Sequence, residues 1–284
     1  MYTTTVILNQ RSDFMKKLFT LIISAITLSL SPGCQSATSD EPLSAHADYS
    51  AYFNGINGCA VFYDYDKNTY TFYNEEQCNT RYSPYSTFKI VAALEGLKEG
   101  VITSENSTME NSGDTYPFES WNKNLDLREA FKESCVWYFR QVIDGVGQET
   151  MAADLEKLNY GNCDVSQWEG EPINAQADLN GFWLDSSLEI SPIEMVNVIS
   201  DIFEGNTDYK KEHIAILKDI MKSDKEGIYG KTGTGKDGSA WYAGFYEEEG
   251  RNIYFAVHLY DSAKKNIAGA NAREIAENII DSLY

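Results

Sequence analysis

Residues 86–89 read Ser86-Thr87-Phe88-Lys89 and lie where the hydrophobic pattern of the chain changes from that of strands to that of a helix. Residues three positions apart share one face of a helix, so the amine of Lys89 can reach the hydroxyl of Ser86 and act on its proton. The same Ser-x-x-Lys pattern also begins at Ser120 and at Ser262, so alone it is a weak signal. Other motifs in the sequence are needed to show whether Ser86 is a nucleophile or only a helix cap.

Strand patterns lie on both sides of this segment. Residues 58–65 and 69–73 are rich in aromatic and β-branched residues and are separated by the polar turn 66–68, which predicts a hairpin. The middle of the chain has helical spacing, and the C-terminal third returns to strands. We predict helices at 86–99, 125–132, 136–143, 149–158, 209–222 and 272–283, a helix start at Ser191, and strands at 228–232, 240–247 and 253–260.

Strands at both chain ends with helices between them predict an α+β fold, an α/β sandwich. We expect an antiparallel β-sheet built from both chain ends, flanked by helices, with an inserted all-helical subdomain. The 284 residues are enough for one such domain, which we place at residues 49–284.

The acidic excess of the chain narrows the choice of partners. There are 43 Asp and Glu against 23 Lys and Arg, a formal net charge of −20. Binding to phosphates needs clustered Lys and Arg, so nucleic acid and an anionic membrane surface are not expected as partners. The three histidines, His46, His213 and His258, are far apart in sequence and form no metal-binding motif, so no metal is expected either.

Further motifs change the interpretation of Ser86. Ser134-Cys135-Val136 lies in the helical middle, and Lys231-Thr232-Gly233 lies on a predicted edge strand. Tyr160-Gly161-Asn162 and Phe182-Trp183-Leu184-Asp185 lie between them. Each alone has a structural interpretation, as a helix cap, a turn, a loop or a buried aromatic. Their order and spacing together are specific.

This combination resembles the penicillin-recognising serine transpeptidase and β-lactamase superfamily. Within it, residues 49–284 are similar to the class D (oxacillinase-type) serine β-lactamases, and to their Gram-positive-type branch. The Ser-Thr-Phe-Lys form and a Ser-x-Val motif in place of Ser-Asp-Asn carry the resemblance. It implies hydrolysis of a small-molecule β-lactam to a substituted β-amino acid.

The resemblance also implies roles for individual residues. Ser86 would be the nucleophile that forms an acyl-enzyme, and Lys89 would carry CO₂ as a carbamate and act as general base. Ser134 would relay a proton to the lactam nitrogen, and Lys231 would supply positive charge beside it. A carbamate forms only on a neutral amine, so Lys89 needs an apolar pocket that lowers its pKa. The residues expected around the substrate and this pocket are Val136, Trp183, Thr232, Gly233, Thr234 and Arg273.

The N-terminal residues resemble an export signal. Residues 1–14 are interpreted as a mis-assigned upstream start, 15–34 as a signal peptide of lipoprotein type ending at Cys34, and 35–48 as a tether. We therefore expect an exported, extracytoplasmic protein, either lipid-anchored to the cell membrane through Cys34 or secreted or periplasmic. We expect a monomer or weak dimer with mostly free, buried thiols at Cys59, Cys78, Cys135 and Cys163.

Three other functions remain open at this point. A β-lactam sensor is acylated without turnover, but it is expected to carry several transmembrane helices, where this chain shows one short export segment. A penicillin-binding transpeptidase usually has Ser-x-Asn where this chain has Ser134-Cys135-Val136. A nonenzymatic lipoprotein binding module would form no covalent drug adduct.

Overall fold

A sheet assembled from both ends of the chain is the centre of the fold. The structure, a computed structural model, describes residues 41–236, 238–264 and 266–283. Its strands are β1 (Leu43–His46), β2 (Gly58–Asp64), β3 (Thr69–Tyr73), β4 (Thr108–Met109), β5 (Leu125–Asp126), β6 (Ile228–Thr234), β7 (Ser239–Glu248) and β8 (Arg251–Tyr260). The main sheet has the order β1-β3-β2-β8-β7-β6, and β4 pairs with β5. The predicted assembly from both chain ends is therefore confirmed, and β6 is an edge strand as expected.

Helices occupy the middle of the chain and its C-terminus, as the sequence predicts. They are α1 (Ser50–Phe53), α2 (Glu75–Cys78), α3 (Lys89–Lys98), α4 (Leu127–Lys132), α5 (Val136–Val146), α6 (Gln148–Lys157), α7 (Pro192–Phe203), α8 (Lys211–Ile220) and α9 (Gly269–Leu283). Short 3-10 turns occur at Tyr85–Phe88, Glu119–Trp121 and Ala177–Leu179.

One strand of the sheet was not predicted. Residues 43–46, within the segment expected to be a tether, form β1 and pair parallel with β3. The tether prediction is wrong for these residues, and the sheet is not wholly antiparallel. All four side chains of β1 are exposed, so the segment has no alternating apolar pattern that could have revealed a strand. Its backbone instead covers the free edge of the hairpin.

Two apolar layers pack on opposite faces of the sheet. Along β2, Cys59 and Val61 face the helical middle, whereas Ala60 and Phe62 face α1 and α9. Because both faces are covered, the central strands are almost continuously apolar. This is why their sequences alternate so weakly between polar and apolar residues.

Helix α3 lies inside the helical layer and is buried on every side. Each residue from Lys89 to Leu97 is buried, including the charged Lys89 and Glu95. A helix buried all round needs apolar or small residues on all its faces, as in its Ile-Val-Ala-Ala-Leu run. The fold therefore holds the amine at the start of this helix away from water.

The described residues bear on two further expectations. Cys59, Cys78, Cys135 and Cys163 are free, and the first three are buried. The predicted signal peptide and Cys34 lie outside the described residues. In the part of the chain that the structure covers, no helix has the length and apolarity needed to cross a bilayer.

Helix α7 begins with the capping box that the sequence predicts. The Ser191 hydroxyl accepts a hydrogen bond from the Glu194 N–H at 3.3 Å, and the Glu194 carboxylate accepts one from the Ser191 N–H at 2.9 Å. Arg81 also binds this carboxylate through its guanidinium. The cap therefore connects the start of α7 to the segment that leads to Ser86.

Replacing Ser191 by Ala should lower the free energy of unfolding by about 1 kcal/mol, because it leaves helical N–H groups without an acceptor. Urea unfolding followed by circular dichroism measures this difference. Ser262→Ala, at an exposed serine, is the matched control and should leave stability unchanged. Equal effects of the two substitutions would show that the cap does not stabilise the fold.

Candidate active site

Ser86 and Lys89 come together where a 3-10 turn passes into α3. The turn spans Tyr85–Phe88, and Lys89 is the first residue of the helix. The Lys89 Nζ donates a hydrogen bond to the Ser86 Oγ at 2.9 Å. In a 3-10 turn, residues three apart are eclipsed, which brings the two side chains closer than an α-helix would. The predicted pair is therefore present, with its first turn tighter than expected.

The amine of Lys89 is buried in apolar surroundings. The side chain is fully buried, and its Nζ lies 5.4 Å from the centre of the Phe139 ring on α5. Burial lowers the pKa of Lys89 to about 7, because an ammonium ion loses its hydration there. The amine is thus neutral in a large fraction of molecules near neutral pH and can accept a proton from Ser86.

A second serine–lysine pair joins the helical layer to the sheet. Ser134 lies between α4 and α5 with a left-handed backbone (φ 54°). The Lys231 Nζ, from β6, donates hydrogen bonds to the Ser134 Oγ and, at 3.0 Å, to the Thr232 carbonyl. Burial, and then the neighbouring charge of Lys89, hold the pKa of Lys231 well below its usual range. The site therefore contains two serines, and the hydroxyl of each is hydrogen-bonded to a lysine whose pKa is lowered.

The edge strand β6 passes directly beside the nucleophile. A Cβ atom added to Gly233 would lie 3.1 Å from the Pro84 carbonyl oxygen and 3.4 Å from the Ser86 nitrogen. Only a residue without a side chain allows this approach of strand to turn at no cost. Gly233 therefore lets β6 pass within contact distance of the turn that carries Ser86.

Trp183 is buried against the same apolar cluster. Its ring packs on Phe88 at 5.7 Å and on Phe182 at 5.2 Å between ring centres. Its indole Nε1 is buried and has no hydrogen-bond partner among the residues that the structure describes. A buried N–H without an acceptor is costly, so this donor points to a polar group that is absent from the protein chain itself.

The Tyr160-Gly161-Asn162 motif fixes the loop that carries Trp183. The Asn162 side chain donates to the Ser187 carbonyl at 2.8 Å and accepts from the Glu189 N–H at 3.0 Å. Gly161 has a left-handed backbone (φ +56°), and a Cβ there would lie 1.9 Å from the Glu189 carbonyl oxygen. The motif is therefore structural, and it serves the site by holding the neighbouring loop.

Cavities open on the two sides of β6. One, of about 420 Å³, is lined by Thr232, by five basic residues (Arg128, Lys132, Lys222, Lys231 and Arg273) and by two carboxylates (Asp219 and Asp224), among others, so basic residues are in excess. The other, of about 260 Å³, is lined mainly by apolar residues, among them Phe118, Trp121, Val136 and Leu184, with Thr234, Asp185 and Lys236 at its polar part. The first can take an anionic group, and the second can take an apolar substituent.

Arg273 lies in the cationic cavity, but its charge is shared. Its guanidinium donates to the Glu277 carboxylate at 2.7 Å and to the Ser223 hydroxyl at 2.9 Å. Glu277 raises the pKa of Arg273, which stays a cation. An incoming carboxylate would therefore share this cation with Glu277.

Some groups around the site carried no recognisable signal in the sequence. Phe139 and Phe131, whose rings lie 5.4 and 5.5 Å from the Lys89 and Lys231 amines, read only as core residues of helices. Cys135, inside the Ser-x-Val motif, is buried, and burial raises the pKa of its thiol to about 12. It is therefore a protonated packing residue and not a nucleophile.

A cluster of carboxylates lies at the far end of α3. Glu95, Glu99 and Asp154 are close enough for a shared cation. The Lys98 amine already binds Asp154 and lies 3.4 Å from Glu95. That ammonium group supplies the positive charge, and we assign no metal there.

Comparison with known proteins gives matches over most of the chain. The model of the penicillin binding protein transpeptidase domain matches residues 58–281. The curated relatives include "Regulatory protein BlaR1" of Bacillus licheniformis, 34% identical over 245 residues, which cover 83% of this chain but 39% of that protein. They also include "Probable beta-lactamase YbxI" of Bacillus subtilis, 33% identical over 218 residues, which cover 75% and 78%.

Solved structures show the same two kinds of relative. A class D β-lactamase from Bacillus subtilis matches with a TM-score of 0.73 and 30% identity, covering 83% of this chain and 95% of that one. The C-terminal domain of the Bacillus licheniformis BlaR penicillin-receptor matches with a TM-score of 0.76 and 31% identity, covering 85% and 96%. The chain spans about 39% of the length of the BlaR1 protein itself.

Replacing Lys89 by Met should raise the free energy of unfolding at pH 7 by roughly 2–4 kcal/mol, because it removes a buried ionisable amine. The pKa of Lys89 falls from 10.5 to about 7 on folding, so between these values the unfolded chain binds more protons at this residue. Stability therefore rises with pH across that window in the parent protein, and the part due to Lys89 is absent from the variant. Urea unfolding at pH 7 and pH 9 in bicarbonate-free buffer measures both effects.

Lys98→Met, at the other end of α3, is the matched control. Lys98 binds Asp154 and lies beside the buried Glu95, so its loss should destabilise the protein. If Lys89→Met were as destabilising as Lys98→Met, the buried amine would not be a cost to the fold.

Proposed function

Because the chain belongs to the penicillin-binding protein transpeptidase domain family, whose members similar to it include class D β-lactamases and BlaR1-type sensors, we propose that it hydrolyses β-lactam antibiotics through an acyl-enzyme on Ser86. The observation that carries this proposal is the hydrogen bond of 2.9 Å between the Ser86 hydroxyl and a buried Lys89. A lysine whose pKa is about 7 can take up the serine proton near neutral pH.

In the first step the Ser86 oxygen attacks the lactam carbonyl as its proton passes to Lys89. The backbone N–H groups of Ser86 and Thr234 would stabilise the negative oxygen that forms; each such donor is typically worth about 10²–10³ in rate. The lactam C–N bond then breaks, and Ser134 donates its proton to the nitrogen. The proton that Lys89 took from Ser86 would pass to the Lys231 amine and from there to Ser134, whose hydroxyl is bonded to Lys231.

The second step needs a base for the attacking water. The residues fit CO₂ bound to Lys89: the amine is buried with a lowered pKa, its walls are apolar, and the Trp183 indole N–H lacks an acceptor. When bound, the group supplies a carboxylate base. The Phe139 ring lies 5.4 Å from the Lys89 amine and helps to keep bulk water from it, and the unpartnered Trp183 N–H would donate to the bound group.

Substrate orientation follows from the two cavities beside β6. The carboxylate common to β-lactams would enter the cationic cavity with Lys231, Thr232 and Arg273. The acyl side chain would then lie in the apolar cavity beside Val136 and Thr234. We further propose that the protein acts outside the cytoplasm, where β-lactams meet their targets.

A β-lactam sensor is the second candidate, favoured by the 34% identity to BlaR1 over most of this chain. In a sensor the first step occurs and the acyl-enzyme persists. The two proposals therefore differ only in the fate of the Ser86 ester.

The purified protein should turn over a chromogenic cephalosporin many times per active site. Bicarbonate should increase the rate, most strongly at mildly acidic pH, where a proton competes with CO₂ for the Lys89 amine and added CO₂ shifts that equilibrium back toward the carbamate. Absorbance assays with and without added bicarbonate measure this. One equivalent of acylation with no further turnover would contradict hydrolysis and favour the sensor.

Ser86→Ala is the control for the nucleophile, and it should abolish both acylation and turnover. Mass spectrometry after exposure to penicillin should show an adduct on the parent protein and none on the variant. Persistent hydrolysis by the variant would show that Ser86 is not the nucleophile.

Replacing Trp183 by Phe should slow deacylation about 10- to 100-fold, the loss expected for one hydrogen bond to a charged group. Acylation by a fluorescent penicillin should change much less, so labelled protein should accumulate. Pre-steady-state kinetics separate the two steps. Equal slowing of both would indicate that Trp183 acts through packing on Phe88 alone.

A further inference from the structure

Two segments far apart in sequence are bonded together beside the nucleophile. The Ser83 hydroxyl donates to the Trp183 carbonyl at 3.0 Å and accepts from the Asp185 N–H at 3.0 Å. The Tyr85 N–H also donates to the Trp183 carbonyl, at 3.1 Å. Finally, the Tyr85 phenol donates to the Asp185 carboxylate. Tyr85, the residue before the nucleophile, thus holds Asp185 in the loop that carries Trp183.

The backbone at both ends of the phenol–carboxylate bond is unusual. Tyr85 has φ 48° and Asp185 has φ 47°, both in the left-handed region that residues other than glycine seldom adopt. Such conformations cost free energy and persist where surrounding interactions compensate for them. The left-handed turns direct the two side chains at each other, so the bond between them is part of what maintains both turns.

The Tyr85 ring also contacts the edge strand, and Tyr85 lines two cavities. A Cβ on Gly235 would lie 2.0 Å from this ring, so Gly235 leaves the space that the ring occupies. Tyr85 and Asp185 both line the apolar cavity beside Thr234. The same two residues line a second cavity of about 330 Å³, with Arg81 and Tyr260. The pair therefore forms part of the lining of both cavities.

We propose that the Tyr85–Asp185 hydrogen bond is a latch that holds the Trp183 loop against the nucleophile turn and keeps water out of the Lys89 pocket. Tyr85 and Asp185 are then positioning residues: they act through Trp183 and Ser86. This inference rests on the proposed function and deepens it.

The proposed latch would affect catalysis through the hydration of Lys89. Lys89 can act as a base because its amine is buried away from water. Phe88, the residue before it, is buried against the rings of Phe182 and Trp183. A loosened Trp183 loop would admit water, stabilise the ammonium form of Lys89 and slow proton transfer from Ser86. The other titratable groups acting on Lys89 are Lys231 of β6 and the Cys135 thiol before α5. Neither is altered by the changes proposed here.

Tyr85→Phe removes the hydroxyl and keeps the ring against Gly235, so it separates the latch from packing. Asp185→Asn keeps an oxygen acceptor for the phenol, whereas Asp185→Ala removes it. The matched control is Tyr254→Phe, which removes a phenol–carboxylate bond of 2.5 Å to Glu204, between β8 and the end of α7. All four variants are compared as the full protein.

The first readout is the pH profile of single-turnover acylation by a fluorescent penicillin. In Tyr85→Phe and Asp185→Ala we expect the acid limb to move to higher pH by about one unit, a tenfold loss of rate on that limb that recovers at higher pH. Asp185→Asn should restore most of the parent profile, and Tyr254→Phe should not shift it. Unshifted profiles in both Tyr85→Phe and Asp185→Ala would overturn the latch.

The second readout is hydrogen exchange of the backbone around residues 183–185, which needs no catalysis. We expect exchange at least about tenfold faster in Tyr85→Phe and Asp185→Ala than in the parent and the Tyr254→Phe control. Unchanged exchange would overturn the latch even if the rates fell. A parent protein that is acylated but does not turn over would defeat the hydrolase proposal, and both readouts would still test the latch.

Discussion

The burial of the Lys89 amine is the constraint on which the rest of the site depends. An ammonium ion in an apolar interior loses its hydration, and the protein responds by favouring the neutral form. That response needs a helix buried on every side, aromatic rings around the amine, and a loop over it. Helix α3, Phe139 and the Trp183 loop supply these. Much of the helical layer therefore contributes to the lowered pKa of one lysine.

The motifs, taken together with the family resemblance they carry, predicted which serines and lysines come together and most of the elements that hold them. Ser86 with Lys89 and Ser134 with Lys231 are brought together as expected, because short motifs at helix starts and on an edge strand have few possible geometries. Strand β1 was missed because its contribution is backbone pairing, which leaves no side-chain pattern. The contact between Tyr85 and Asp185 was missed because it depends on two left-handed turns and a tertiary approach.

The family brings together hydrolases and sensors, and this chain is about one-third identical to examples of each. The two activities share acylation, which needs only a nucleophile, a proton acceptor and donors for the oxygen. They differ in whether a water molecule is deprotonated beside the ester afterwards. In the mechanism that we propose, that difference would lie in the retention of a base at Lys89, and hence in hydration and loop packing more than in the identity of the reacting residues.

The pairing of β2 with β8 has a consequence for when the protein can fold. Gly58 lies opposite Leu259, so the centre of the sheet cannot form until nearly the whole chain is available. Contacts between such distant residues are slow to form, because a long loop must close first. A newly made chain would therefore remain open for longer than one built from local contacts. Such a delay would suit the location outside the cytoplasm that we propose, because a chain crosses a membrane more readily before it becomes compact.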